Sequence, residues 1–343
     1  MNEPSELKPR EAVRRYLDRR GTELSKSSLK TYKYRLKLWV EWCEDQNIER
    51  VSDLNGWTFE QFEAFRAGQG IASPTLHGEM ETLLGFVEYL ERIEAVDDGL
   101  AEKVHVPKVP MSERSRDTML APEDALRLLR FYRSNSSVRG TRYHAVLELA
   151  WHTGARLGAL RGLDLRDYYP DEQYVEFVHR PESDTPLKNQ MNGERTVSLL
   201  PEVVESLNAY IEDFRPDGHD EFGRSPFFVT HHGKRISKPG FRGWMYQATQ
   251  PCVVGPCPHE YEKDSCEFAG SYTQGSKCPS SRAPHHVRTG SITWHRDRGF
   301  PAEVTAERVN ASQQVIEQHY DKASQRERME LRRRPHLEKL RID

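Results

Sequence analysis

Five side chains in the second half of this sequence carry a common chemistry: Arg156, Lys188, His285, Arg288 and Tyr320. Two arginines, a lysine, a histidine and a tyrosine are the groups needed to open a phosphodiester without a metal. Arginine pairs in a fork with non-bridging phosphate oxygens and keeps its charge at any working pH. Such a clamp stabilises the charge that builds on the phosphoryl group in the transition state. Lysine can hand a proton to the departing alkoxide, and histidine can take or share one. Tyrosine offers an oxygen that attacks, holds the phosphate covalently, and later leaves. Singly, each has a plainer use, as a surface arginine, a turn lysine or an aromatic under a helix. Their joint presence favours the chemistry.

Each sits in a distinct local setting. Arg156 lies in HTGARLGALRGLDLRD (152–167), two residues after Gly154, where a helix has ended or is about to begin. Lys188 lies in PLKNQMNGERTVSL, in the connection between QYVEFVHR (173–180) and ERTVSLL (194–200). Those two runs alternate as strands do, which predicts a β-hairpin with Lys188 at its mouth. In PHHVRTGS (284–291) His285 and Arg288 stand three apart and share one helix face. Tyr320 lies in VIEQHYDKASQRER (315–328), at the end of an amphipathic helix.

The order and spacing resemble the tyrosine recombinase (phage integrase) family, marked by an arginine in a TG-x-R helix, a hairpin lysine, an H-x-x-R box and a tyrosine near the C-terminus. Here these are Thr153-Gly154-Ala155-Arg156, Lys188, His285-His286-Val287-Arg288 and Tyr320. The wording of the motifs is most similar to integrases of halophilic archaea. The resemblance covers nearly the whole chain. It implies a site-specific DNA recombinase whose two domains close on duplex DNA. Tyr320 would form a 3′-phosphotyrosyl bond, Lys188 would protonate the leaving 5′-oxygen, and four protomers would assemble on two duplexes. Neither ATP nor a catalytic metal would be needed.

Two positions depart from the family pattern. A histidine or tryptophan normally precedes the tyrosine by nine or ten residues, where this chain has Asn310 or Ala311. Asn310 is the better counterpart, because an amide can donate to a phosphate oxygen; His319 and Trp294 are the alternatives for the missing donor. An acidic residue often follows the first arginine by three, where this chain has Ala159. These departures are the case for the rival reading, a DNA-binding regulator that keeps the fold with weakened or lost catalysis. A type IB topoisomerase would use the same chemistry, and a zinc-dependent interaction module is a third possibility.

The elements that must position these residues fall into two halves of a mainly helical chain with a small antiparallel sheet. Residues 1–102 read as a helical core-binding (SAM-like) DNA-binding domain by the resemblance. In SSLKTYKYRLKLWVEWCE, Leu29, Tyr32, Leu36, Trp39 and Cys43 recur at helical steps, with Ser27 or Ser28 as N-cap. Phe59, Phe62 and Phe65 repeat the period, as do Leu76, Met80, Leu83, Val87 and Leu90, with short helices expected at 9–20 and 93–102. Lys30, Lys33 and Lys37 lie off the stripe, as a solvated face or as DNA-backbone contacts. A linker is expected at 103–117 and the catalytic domain at 118–343. Helices are expected there at 122–132, 141–152, 201–213, 238–248, 286–298, 302–307 and 312–323. The charged tail from Arg326 suits either docking onto a neighbour or a solvated helix.

With 343 residues, 50 basic and 53 acidic side chains and a net charge of −3, no global charge announces a nucleic-acid partner. Any DNA surface must be local. The chain shows no apolar signal core and no membrane-length apolar run, so a soluble, cytoplasmic protein is expected. Four of its five cysteines crowd into 251–281, with His259 among them. This predicts a structural, tetrahedral zinc. Cys257, Cys266 and Cys278 would be three ligands, Cys252 or His259 the fourth, with buried or oxidised thiols as the alternative. Such a site would fix the entry to the H-x-x-R helix.

Overall fold

The computed structural model describes residues 3–110, 113, 117–269, 273–340 and 342. The chain divides into two compact units, residues 1–116 and 117–343. Part of the expected linker, 111–112 and 114–116, lies outside the described residues, as do 270–272 of the cysteine segment and position 341 of the tail.

The first unit is built on α1 (Pro9–Arg20), α2 (Lys26–Asp45), α3 (Gly56–Gly68) and α4 (Ser73–Arg92). Helix α2 is capped by Ser25, two or three residues before the expected Ser27 or Ser28, because the Ser25 hydroxyl accepts from the Ser28 N–H at 3.2 Å. Its apolar stripe buries Leu36, Trp39 and Cys43, and Trp39 meets Phe62 of α3 edge-on at 5.0 Å. Phe65 departs from the expected stripe and is 45% exposed. Arg35 turns inward to donate to the Thr82 hydroxyl of α4 at 3.0 Å. Arg66 and Glu79 form a buried pair at 2.7 and 2.9 Å. No helix forms across 93–102. Glu94 and Gly99 adopt left-handed backbone there, at φ 56° and 80°, and only the 3-10 turn Ala101–Lys103 follows. Residues just beyond it still pack on this unit: Val104 is in its core and the Pro107 carbonyl meets His77 Nδ1 at 2.8 Å.

In the second unit α6 (Arg142–Thr153) is buried on nearly all sides. Around it lie α5 (Pro122–Ser134), α8 (Pro201–Ala209), α9 (Lys238–Ala248) and α10 (Pro284–Asp297). A short helix, α7 (Leu157–Gly162), follows α6. The sheet holds three strands in the order β1 (Tyr168–Tyr169), β2 (Tyr174–Phe177), β3 (Arg195–Ser198), all antiparallel. Strand β1, two residues long, is the one the alternation pattern does not reveal. In β2 the side chains of Val175 and Phe177 enter the core, and Phe177 pairs with Arg195 across the ladder. The base of the sheet is pinned by Asp164, almost fully buried, which accepts from Arg224 at 2.7 Å and Arg235 at 2.5 Å. Arg180 binds the adjacent Asp167 through two hydrogen bonds of 2.6 and 2.7 Å. Two further short elements, α11 (Ala302–Val309) and α12 (Gln313–Val315), lead into a π-helical turn, Ile316–Tyr320.

Candidate active site

Arg156 owes its place to the way α6 stops. Gly154 caps the helix in the left-handed region at φ 59°, and a Cβ there would lie 2.8 Å from Val309 Cγ1. The chain then turns extended, and Arg156 becomes the N-cap of α7. His285 and Arg288 come from the first turns of α10, which starts with Pro284 in a position that needs no N–H partner. Gly290 lets this helix lie directly against its neighbours, since a Cβ there would fall 1.9 Å from the Leu120 carbonyl oxygen. The same helix holds the end of the tyrosine turn: Thr293 Oγ1 donates to the Tyr320 carbonyl at 2.8 Å.

These elements bring four of the five residues together. The imidazole of His285 and the ring of Tyr320 are 5.4 Å apart, and the Arg288 guanidinium lies over the Tyr320 ring at 4.8 Å. Tyr320 is 5% exposed and packs with Ile292, Val309 and Ile316 in a small core of its own. Both readings of this tyrosine therefore hold in part: it is an aromatic under a helix, and it sits within the cationic group. Lys188 is exposed in the β2–β3 connection, and its charge reaches His285.

The arginines share an unusual support. Three successive backbone carbonyls at the end of α11 each accept from one of them. Arg195 Nε donates to the Arg308 carbonyl at 2.8 Å, Arg288 Nη1 to Val309 at 2.7 Å, and Arg156 Nη1 to Asn310 at 2.6 Å. A helix C-terminus carries orphan carbonyls and partial negative charge, so it suits guanidinium groups. Arg288 also donates to the Gly154 carbonyl at 2.6 Å. Its Nε and Nη2 are buried with no partner among the described residues. No hydrogen bond or ion pair from Arg156, Arg195, Arg288 or Arg308 to a carboxylate occurs among the described residues.

Burial and mutual repulsion both register in their proton affinities. The Arg288 pKa falls to about 10, through burial first, with the Arg156 charge lowering it further and Tyr320 opposing. Arg195 falls to about 9, again through burial, then through Arg288, Arg156 and Arg308. All remain cations at neutral pH. The imidazole of His285 is lowered from its ordinary 6.5, by desolvation and then by Arg288, His286, Arg156 and Lys188. It is neutral at pH 7 and free to accept a proton. A cluster of one buried and three half-buried cations, with no side-chain counter-charge and with unpartnered N–H groups among the described residues, is suited to an anion.

Asn310 is the C-cap of α11 in the left-handed region, φ 52°. Its amide is engaged within the chain. Nδ2 donates to the Asn192 carbonyl at 2.7 Å, and Oδ1 accepts from Asn189 Nδ2 at 2.7 Å. Of the alternative donors, Trp294 packs against Trp151 at 5.8 Å with its indole N–H buried and unpartnered among the described residues, and His319 is half-buried within the turn that ends at Tyr320. Ala159 is buried on α7. Arg195 and Arg308 belong to the site but not to the sequence reading. A charged residue opening a strand and another in the last turn of a helix carry no signal of their own.

Lys30, Lys33 and Lys37 are all exposed on α2 of the first unit, and Lys37 pairs with Glu41 at 3.3 Å. The zinc expectation finds no support: among the described residues no group of three or more His, Cys, Asp or Glu could hold a metal ion. Cys252, Cys257, Cys266 and Cys278 are free thiols. Burial, and then the nearby Lys263, Cys257 and Cys278, set the Cys252 thiol, whose pKa is raised. His259 Nε2 is committed to the Ser280 hydroxyl at 2.9 Å, and Cys278 is in the core. Counting thiols along the chain overlooked these commitments. Hydrogen bonds anchor the entry to α10 instead, Arg282 N–H to the Thr249 hydroxyl at 2.8 Å and Arg282 Nε to the Met119 carbonyl at 3.0 Å.

No protein-family model matches the chain. Among curated proteins it is similar to the tyrosine recombinase XerD of Staphylococcus epidermidis, 24% identical over 217 residues, 63% of this chain and 69% of that one. The N-terminal domain of a phage integrase/site-specific recombinase from Haloarcula marismortui is 48% identical across 29% of this chain and 97% of its own, with a TM-score of 0.29. The Tn1549 transposon integrase, solved in complex with transposon right end DNA, shares the fold at a TM-score of 0.65. It is 13% identical, with 97% of this chain and 99% of that one covered. No helix among the described residues is long and apolar enough to cross a membrane.

Proposed function

We propose that the chain is a tyrosine recombinase, a reading supported by its similarity to XerD and by the fold it shares with the Tn1549 integrase, and that it acts as a site-specific DNA recombinase through a 3′-phosphotyrosyl intermediate. The observation that carries this reading is Arg288: a buried guanidinium over the Tyr320 ring, with two N–H-bearing nitrogens unpartnered among the described residues. Its spare donors and those of Arg156 would take the non-bridging oxygens of the scissile phosphate. The Tyr320 oxygen attacks phosphorus, and the bond to the 5′-oxygen breaks. The phenolic proton passes to His285, neutral at pH 7, and Lys188 supplies a proton to the leaving 5′-oxygen. A 5′-hydroxyl from a partner strand reverses the step and releases Tyr320. Lys30, Lys33 and Lys37 would contact the DNA backbone, and four protomers would act on two duplexes in the cytoplasm.

The test is covalent trapping. Nicked duplex fragments from the protein's own genomic neighbourhood would be incubated with wild type and with Tyr320→Phe, then resolved on denaturing gels. Labelled DNA migrating with wild-type protein, sensitive to protease and missing in the variant, is the expected result. Tight binding with no adduct in either protein would sink the recombinase reading. It would favour a regulator that kept the fold, the reading supported by the committed amide of Asn310.

A further inference from the structure

The exposed turn that carries Lys188 needs something to hold it, because a proton donor must meet the leaving oxygen within hydrogen-bond reach. Within the turn, the Gln190 N–H bonds the Leu187 carbonyl and the Glu194 N–H bonds the Met191 carbonyl, both at 3.1 Å. The links from this turn to the rest of the site run through Asn310 and Arg195. Asn310 sits between Asn189 and Asn192 of the turn on one side and Arg156 on the other. Asn189 Nδ2 donates to its Oδ1, its Nδ2 donates to the Asn192 carbonyl, and its own carbonyl accepts from Arg156. A backbone carbonyl only accepts, so the Asn192 contact fixes which way round the Asn310 amide lies. Left-handed backbone at φ 52° is a conformation that asparagine tolerates better than most residues.

We propose that Asn310 is a positioning residue that latches the Lys188 turn to Arg156, rather than a donor to the scissile phosphate. This rests on the recombinase reading of Arg156, Lys188 and Tyr320. One residue then couples the two groups, its amide holding the turn of the proton donor and its main-chain carbonyl holding the arginine that neutralises the phosphate. An arginine and a lysine carried on separate elements are kept in one register, through contacts that span 118 to 154 residues of sequence.

DNA with sulfur in place of the scissile 5′-oxygen separates the two roles, because a thiolate departs without being protonated. Asn310→Gly keeps the left-handed backbone and deletes the amide; Asn189→Ala removes the turn's side of the latch, and Lys188→Ala is the reference. The expected result is a fall of at least about 10-fold in cleavage of ordinary DNA by each variant, with near wild-type rates restored on the sulfur substrate. Asn310→Gly remaining as slow on sulfur DNA as on oxygen DNA would overturn the proposal in favour of a phosphate contact. Hydrogen exchange at the Gln190 and Glu194 amides gives a second readout that needs no activity. Faster exchange in Asn310→Gly supports the latch, and unchanged exchange refutes it. A wild type forming no Tyr320-dependent adduct on either substrate removes the recombinase reading, and the exchange result then decides the latch by itself.

Discussion

Arg288 concentrates the logic of the site in one side chain. A lone guanidinium taken out of water is costly, and its burial here is balanced by two carbonyls and the face of Tyr320. The remaining N–H groups are left for a ligand. Lysine at this position would keep a charge but lose the planar fork and most of the donors. Arg288→Lys is expected to slow single-turnover cleavage by about 100- to 1,000-fold, while DNA binding by gel shift changes little. Equal losses in both assays would make Arg288 a general anchor instead. A second residue-scale effect concerns His295, 2% exposed, whose pKa burial drives down to about 4. The unfolded chain would bind a proton near the ordinary 6.5 that the folded chain refuses until about 4. Stability is therefore lost as pH falls through that window, by about 1.4 kcal/mol per pH unit for this group. The wild-type melting temperature should drop steeply between pH 6.5 and 4, and His295→Gln should flatten that slope. Parallel slopes for the two proteins would assign the acid sensitivity elsewhere.

Among the elements, the break between α6 and α7 matters most. Gly154→Ala forces a Cβ onto Val309 and a side chain into left-handed backbone. It should cost about 1–3 kcal/mol in denaturant unfolding, and cleavage should fall further than stability explains because Arg156 moves with the turn. Unchanged unfolding with unchanged cleavage would show that the close approach is not needed. This break was legible beforehand, since a glycine two residues before an arginine between two apolar helical runs marks a helix stop. The hairpin was legible through alternation, and His285 with Arg288 through their shared face. What escaped was whatever depended on distant partners. The amide of Asn310 meets residues 118 and 121 positions away, and no local pattern encodes that. Strand β1 was too short to alternate, the 93–102 segment was broken by left-handed backbone, and the cysteines were read by count when their surroundings decide.

At the scale of the molecule, the net charge of −3 gives no hint of a DNA partner, so the proposed DNA binding would have to come from local cations. The three exposed lysines of α2 offer such a group, weakened at Lys37 by Glu41. Each phosphate contact contributes about 0.9 to the slope of log K against log salt. Replacing Lys30, Lys33 and Lys37 together by alanine should reduce that slope by about 2 to 3, uniformly across DNA sequences. An unchanged slope would make those lysines a solvated face. The first unit has its own core, from Leu7 to Val104, so this substitution can be checked for folding independently of the second.

The three carbonyls that hold Arg195, Arg288 and Arg156 belong to the main chain. Every amino acid brings the same carbonyl, so no codon change at 308, 309 or 310 can delete these acceptors; it can only displace them. The arginines are thus tolerant of drift in the side chains beneath them and vulnerable to changes in chain path. Insertions or deletions in the last turn of α11 would disable the site more thoroughly than most point substitutions there.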